Sequence, residues 1–84
     1  MKTPLKKVIF LLSKAKKEKK LGLFALINDD VEIIKMIAEQ AQGIMSNGER
    51  YNNNAMNMTA YYNTSNQFGE KLVKAAIKWY NSLM

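Results

Sequence analysis

Cysteine and histidine are both absent from this 84-residue sequence, and each absence excludes a class of chemistry. Without cysteine the chain has no disulfide and no thiolate metal ligand, so it is compatible with a reducing or an oxidising compartment. Without histidine it lacks the commonest general base and the commonest metal ligand. We therefore expect no enzymatic activity, no bound metal, no cofactor and no small-molecule substrate.

Glycine and long apolar runs are also scarce. The four glycines are widely separated, so no glycine-rich loop is available to hold a phosphate group. The longest apolar run covers residues 21–27, which is far shorter than the ~20 residues of a membrane-spanning helix. The apolar run at residues 8–12 is shorter than the ~7 to 15 residues of a signal-peptide core. We expect a cytoplasmic protein without a signal peptide.

The basic residues are concentrated near the N-terminus. Eight of the 13 cations are lysines in the first twenty positions, where Glu18 is the single acid. The rest of the chain carries five cations and six anions, so the net charge of +6 arises from the N-terminal segment. An uneven charge distribution of this kind is typical of a segment that binds an anionic partner.

The spacing of apolar residues predicts a first long helix near residues 4–19. Thr3 is a suitable N-cap, and Pro4 suits the first helical position because its missing N–H is not needed there. One buried face is predicted at i, i+3, i+4 and i+7 by Leu5, Val8, Ile9 and Leu12. At about 100° per residue this face continues to positions 16 and 19, which are both lysine. The C-terminal part of the helix therefore carries charge on all sides.

A second long helix is predicted near residues 29–46. Asn28 and Asp29 are good N-cap residues, and the first turn contains Asp30 and Glu32, where carboxylates suit the helix dipole. We interpret this acidic cluster as helix capping and not as an oxygen-only metal site, which would need ligands from a second segment. The helix is expected to end at Asn47-Gly48, a pair typical of a helix stop.

The third long helix is predicted near residues 65–83, with Thr64 or Ser65 as its N-cap. Its apolar arc spans about 200° of the helical wheel and includes Trp79, so it should contact two neighbours and lie at the centre of the fold. Two short helical segments are expected near 21–27 and 55–62. Tyr51, Ala55, Met58 and Tyr62 would form a stripe if all of residues 51–62 were helical, but three consecutive asparagines at 52–54 disfavour helix, so we expect a loop before the second short helix.

Together these elements predict an all-α fold, a small compact bundle of four to five helices in one domain covering residues 1–84. The function expected for it is binding another protein or an oligomeric assembly, as an accessory or inhibitor-type protein. Phe10 supports this expectation because it lies roughly 140° from the centre of the first helix's apolar face, among lysines. The predicted partner-binding residues are Phe10, Lys14, Lys16, Lys17, Lys19 and Lys20. A secondary surface is predicted at Lys71, Lys74, Lys78, Tyr51 and Tyr61.

Nucleic acid is the alternative partner. The Lys14–Lys20 cluster would neutralise phosphates, and tyrosines and asparagines of residues 51–63 would stack on bases or bond to them. The single arginine in the chain argues against base-specific reading, so non-specific contact is the form expected. The same lysines would also serve as a solvated, solubilising face.

A membrane surface is the least favoured partner. Residues 4–20 combine an apolar stripe with lysines, as interfacial helices do. A chain of this size, however, needs that stripe for its core. Burial of Leu5, Val8, Ile9 and Leu12 in the folded protein would argue against this alternative.

Overall fold

The computed structural model describes residues 4–27 and 29–83, and within these ranges the chain forms five α-helices. In chain order they are α1 (Leu5–Lys17), α2 (Phe24–Ile27), α3 (Asp30–Ala41), α4 (Asn54–Phe68) and α5 (Glu70–Asn81). The described residues form no strand, and a single bridge pairs Ile44 with Arg50 in the loop between α3 and α4. The prediction of a small all-α bundle of four to five helices is confirmed.

Helix α5 contacts α1, α3 and α4, so it has at least two neighbours, as its wide apolar arc predicts, but it shares the centre of the bundle with α3, which contacts all four other helices. It buries Trp79, whose side chain is 9% exposed, together with residues on both sides of its arc. Helix α1 contributes Val8 and Leu12, which are completely buried, while Leu5 and Ile9 are partly buried against the same core. The apolar stripe of the first helix is therefore used for folding.

The N-terminus of α1 lies one residue later than the sequence predicts. Pro4 has φ −63° and ψ 132°, so it is extended and takes the cap position, and Leu5 is the first helical residue. The predicted cap Thr3 lies outside the described residues, as does Asn28. At the start of α3 the prediction of Asp29 as N-cap is confirmed, since its carboxylate accepts a hydrogen bond from the Glu32 backbone N–H at 2.8 Å.

Helix α3 ends at Ala41 and not near residue 46, because a Schellman motif stops it at Gly43. The Ile44 N–H donates to the Glu39 carbonyl at 2.9 Å, and the Gly43 N–H donates to the Gln40 carbonyl at 3.2 Å. Gly43 has φ +68°, and an added Cβ would lie 2.8 Å from Asn57 Oδ1 and 2.9 Å from Tyr51 Cδ2. The predicted stop at residues 47–48 falls in the following loop.

The two C-terminal helices meet at a different residue from the one predicted. The helix expected near 55–62 extends to Phe68, and the helix expected from residue 65 begins at Glu70. Thr64 and Ser65, predicted as caps, lie inside α4, where the Thr64 hydroxyl donates to the Ala60 carbonyl at 2.7 Å. The chain breaks instead at Gly69, whose φ of +99° is incompatible with a continuous helix.

Helix α4 does not bury the apolar residues that share the Tyr51 spacing. Tyr51, Ala55, Met58 and Tyr62 are all exposed to solvent. The helix is held by Thr64 and Phe68, which are buried, and by Tyr61, which is partly buried against the core. The four residues that would have formed a stripe in a longer helix therefore make no buried face, and a different set at i, i+3 and i+7 contacts the core.

Candidate functional site

Two helix faces, each with lysines seven residues apart, meet on one side of the bundle. Helix α1 presents a face at i, i+3, i+4 and i+7 formed by Lys7, Phe10, Leu11 and Lys14. Helix α5 presents the same spacing with Lys71, Lys74, Ala75 and Lys78. Because residues at these spacings lie on one side of a helix, each helix contributes a row of lysines about two turns long.

Between these rows lies an open groove with a cavity volume of about 780 Å³. Its lining residues are Lys7, Phe10, Leu11, Lys14, Tyr61, Lys71, Lys74, Ala75, Ile77 and Lys78. The apolar members form the floor, where Leu11, Ile77 and Tyr61 are partly buried and Ala75 is buried. The five lysines are all exposed and form the rim. We call this surface the lysine-rimmed groove.

Phe10 is the exposed aromatic of the groove, with 62% of its surface open to solvent. The ammonium of Lys14 lies 5.8 Å from the centroid of its ring, within the range of a cation–π interaction. The prediction that Phe10 points away from the core is therefore confirmed. The ring and its neighbouring lysine offer a partner an apolar surface beside a positive charge.

The charged side chains that line the groove are all lysines. No carboxylate of the described residues lines it. Lys74 is the one rim lysine with an ion pair among those residues, since its Nζ lies 2.8 Å from Glu70 Oε1. The hydrogen bond and charge of Glu70 raise the pKa of Lys74, and the same contact lowers the pKa of Glu70. Because both side chains are exposed, this pair offsets only part of the rim's charge.

The structure separates the predicted lysine cluster into three parts. Lys14 lies in the groove, whereas the Lys16 ammonium forms an ion pair with the Asp30 carboxylate at the start of α3. Lys19 and Lys20 form the turn that ends α1, and Lys20 Nζ lies 3.6 Å from Glu18. Lys17 is exposed and does not line the groove. We call Lys17, Lys19 and Lys20 the turn lysines.

The predicted secondary surface joins the groove in all but one residue. Lys71, Lys74 and Lys78 form its α5 rim, and Tyr61 lies on its floor. Tyr51 instead packs beside Gly43, and its carbonyl accepts a hydrogen bond from the Asn57 side chain at 3.1 Å. The structure therefore combines Phe10 and Lys14 with most of a surface that the sequence analysis treats as separate.

Sequence reasoning missed four groove residues, namely Lys7, Leu11, Ala75 and Ile77. Two of them, Leu11 and Ala75, could have been found from the sequence. Each lies four residues after the first lysine of its helix face, Lys7 or Lys71, and three before the last. Comparing the two helix faces would have found this match. Its significance depends on the contact between α1 and α5, which only the fold shows.

Two further observations concern metal ions and membranes in the described part of the chain. No group of three or more aspartate or glutamate side chains gathers there in a geometry that could hold a metal ion. None of the helices found there is long and apolar enough to cross a membrane. Comparison with known proteins adds no family, since no family model, curated protein or solved structure matches the chain.

Proposed function

We propose that this chain is a non-enzymatic binding protein that engages another protein through the lysine-rimmed groove, as an accessory or inhibitor-type protein. The observation that carries the proposal is the position of Phe10. A large aromatic side chain is 62% exposed at the edge of an apolar floor, between lysines from two helices. Exposed aromatics beside an apolar surface are typical of protein-binding sites, where they supply a large part of the binding energy.

The form of the groove supports a macromolecular partner. An apolar floor surrounded by charged groups has the arrangement of a protein interface, with an apolar centre and a polar rim. The lysine stems also cover apolar surface while their ammonium groups remain in water. A partner that covers Phe10 would therefore remove apolar surface from water without burying the lysine charges.

Non-specific nucleic-acid binding is the second candidate function. The observation that favours it is the meeting of five lysines with Phe10 and Tyr61 in one groove, since single strands bind to basic grooves containing aromatic rings. The aliphatic floor at Leu11 and Ile77 offers nothing to phosphates. Arg50, the single arginine, lies outside the groove and donates to Gln42 Oε1 at 2.9 Å. These features favour a protein.

Binding to a membrane surface is disfavoured because the apolar stripe of α1 is packed in the core of the bundle. Val8 and Leu12 are completely buried, and Leu5 and Ile9 pack against the core. Insertion of this stripe into a lipid interface would require the bundle to open.

The proposal is tested by selecting binders from a random peptide library displayed on phage, with the purified protein immobilised. We expect enriched peptides that bind the wild-type protein and lose binding to Phe10→Ser. The matched control is Met58→Ser, which removes a similarly exposed apolar side chain from α4, outside the groove. Peptides that bind both variants equally would show that the groove is not the binding surface.

A second arm separates the groove from the turn lysines and from nucleic acid. The variant Lys14→Ser/Lys71→Ser/Lys78→Ser removes three charges from the groove, and Lys17→Ser/Lys19→Asn/Lys20→Ser removes three from the turn. Each is titrated by fluorescence anisotropy against the selected peptides and against mixed-sequence oligonucleotides. Tight wild-type binding that falls steeply with salt and is lost in the groove variant would support nucleic acid in place of protein. Loss of peptide binding only in the turn variant would move the site to the end of α1.

A further inference from the structure

We infer that the occupant of the lysine-rimmed groove is an acidic amphipathic helix, about two turns long, with an apolar face flanked on both sides by aspartate or glutamate. This inference rests on the proposed function and adds the chemistry of the partner. It follows from three features of the groove: the two rows of lysine, the apolar floor between them and the length that both share.

Charge complementarity is the first argument. Lysines rim the groove from both helices, with Lys7 and Lys14 on α1 and Lys71, Lys74 and Lys78 on α5. No carboxylate of the described residues lines the groove. Of the five rim lysines, Lys74 is the one that forms an ion pair with another described residue. A partner with acids on a single edge would satisfy one row and leave the other row facing uncharged surface. A partner with acidic side chains on both flanks of its apolar face would pair with both rows of lysine.

The spacing of the lysines is the second argument. Lys7 and Lys14 are seven residues apart, as are Lys71 and Lys78. At 1.5 Å per residue, each row is about 10 Å long, or two helical turns. A helix placed in the groove would present acids at the same intervals as these lysines, because its own side chains recur on one face every three to four residues. Side chains of α1 and α5 already pack at this spacing.

The apolar floor is the third argument. Leu11, Tyr61, Ala75 and Ile77, with Phe10 at their edge, offer aromatic and aliphatic surface in a cavity of about 780 Å³. A helix with apolar residues at i, i+3 or i+4, and i+7 fills such a groove, as in other helix-in-groove complexes. A polyanion without apolar groups would leave this floor exposed to water.

A small anionic amphiphile, such as a fatty acid, shares part of this chemistry. It would place its chain on the floor and its carboxylate against one lysine. Five lysines distributed over two turns exceed what one carboxylate can pair with. The number and distribution of the cations therefore favour a multivalent acidic partner, and the amphiphile becomes an outcome of the test.

The test uses three synthetic peptides of equal length and apolar content. The first has leucines at i, i+3, i+4 and i+7 with glutamates flanking this face, the second has the glutamates replaced by lysines, and the third has the first peptide's composition in scrambled order. Binding to the full chain is measured by isothermal titration calorimetry at low and at physiological salt, and peptide helicity is measured by circular dichroism. We expect only the first peptide to bind, to become helical on binding, and to bind less tightly at higher salt.

Charge reversal in the protein supplies the matched variant. Lys14→Glu/Lys71→Glu should weaken binding of the glutamate peptide by roughly tenfold or more, since each exposed pair contributes up to ~1 kcal/mol and the new charges repel the peptide. The same variant should gain affinity for the lysine peptide. Lys17→Glu/Lys35→Glu, which changes two exposed lysines outside the groove, should have a smaller effect on both.

The outcomes separate the inference from the proposed function. If library selection yields groove-dependent peptides that are neutral or basic, the proposed function stands and the acidic helix is wrong. If the glutamate peptide fails and dodecanoate binds with loss in Phe10→Ser, the ligand is an anionic amphiphile and both proposals fail. Equal binding of the ordered and scrambled acidic peptides would show that charge alone determines binding. This result would overturn the inference that the partner is an amphipathic helix.

Discussion

Tyr80 connects two helices through one hydrogen bond between side chains far apart in sequence. Its hydroxyl donates to Glu39 Oε2 at 2.9 Å and links α5 to α3. The ring is 9% exposed, so the polar end of a buried side chain finds a partner at the edge of the core. The hydrogen bond to Glu39, followed by burial, raises the pKa of Tyr80 above its usual value of 10.0.

This bond predicts a specific dependence of stability on pH. Because the native state holds the phenol proton more tightly than the unfolded chain, the stabilisation is complete below the unfolded pKa and is lost as pH rises through the folded pKa. Tyr80→Phe should cost about 1 kcal/mol at neutral pH. In urea melts between about pH 9 and pH 11, the wild type should lose more stability than Tyr80→Phe. Parallel losses would contradict the assignment.

At the residue scale, the local sequence pattern predicted the orientation of side chains well, but it did not predict which side chains form ion pairs. The outward position of Phe10 follows from its angle on the helical wheel, and the capping role of Asp29 follows from its place before an apolar helix. The bond between Lys16 and Asp30 depends on how α1 and α3 pack, so no local rule could assign that lysine to a structural role.

Two helices in this chain end with the same hydrogen-bond pattern but with different residues at the critical position. Helix α3 uses Gly43 with φ +68°. Helix α1 uses Lys19 with φ 59°, where the Lys20 N–H donates to the Ala15 carbonyl and the Lys19 N–H donates to the Lys16 carbonyl. A side chain with a Cβ is disfavoured in this left-handed conformation, and glycine is not.

We therefore predict that Lys19→Gly stabilises the protein by about 1 kcal/mol, net of the extra backbone entropy of glycine in the unfolded chain. The measurement is the midpoint of denaturant unfolding. Lys17→Gly is the control, because it introduces glycine at the last helical residue of α1 and should destabilise the protein by up to ~1 kcal/mol. A lower midpoint for Lys19→Gly would contradict the strain argument.

At the element scale, the existence of helices was predictable and their ends were less so. The stop of α3 was placed at Asn47-Gly48 although Gly43, four residues nearer, takes the left-handed turn. Both glycines fit the same local signal, and the contacts of Gly43 with Asn57 and Tyr51 are tertiary. The break at Gly69 was missed for a related reason, because Thr64 and Ser65 imitate a cap but lie inside α4.

The core of the whole molecule is built around α3 and α5, and Trp79 of α5 is its largest side chain. Truncating a buried aromatic costs roughly 3 to 5 kcal/mol, which is comparable with the ~5 kcal/mol low end of domain stability. We predict that Trp79→Ala is largely unfolded at room temperature by near- and far-UV circular dichroism. Trp79→Phe, which retains more of the side chain, should still melt cooperatively. A cooperative melt of Trp79→Ala near the wild-type temperature would place Trp79 at an interface.

At the scale of the whole molecule, the sequence identified parts of the groove but not the groove itself. Phe10 and Lys14 lie about sixty residues before Lys71, Lys74 and Lys78, and their meeting depends on the packing of α1 against α5. Periodicity assigns each residue to a helix face but does not say which faces become neighbours. The two surfaces were therefore predicted as separate.

The five lysines of the groove also affect the free protein. Folding brings like charges together on one side of the bundle, and lysines three or four residues apart on α5 repel each other by a few tenths of a kcal/mol per pair. The melting temperature should therefore rise with moderate salt, which screens this repulsion, and rise less in Lys14→Ser/Lys71→Ser/Lys78→Ser. The clustered lysines of the groove are thus a source of electrostatic frustration in the fold, which salt relieves.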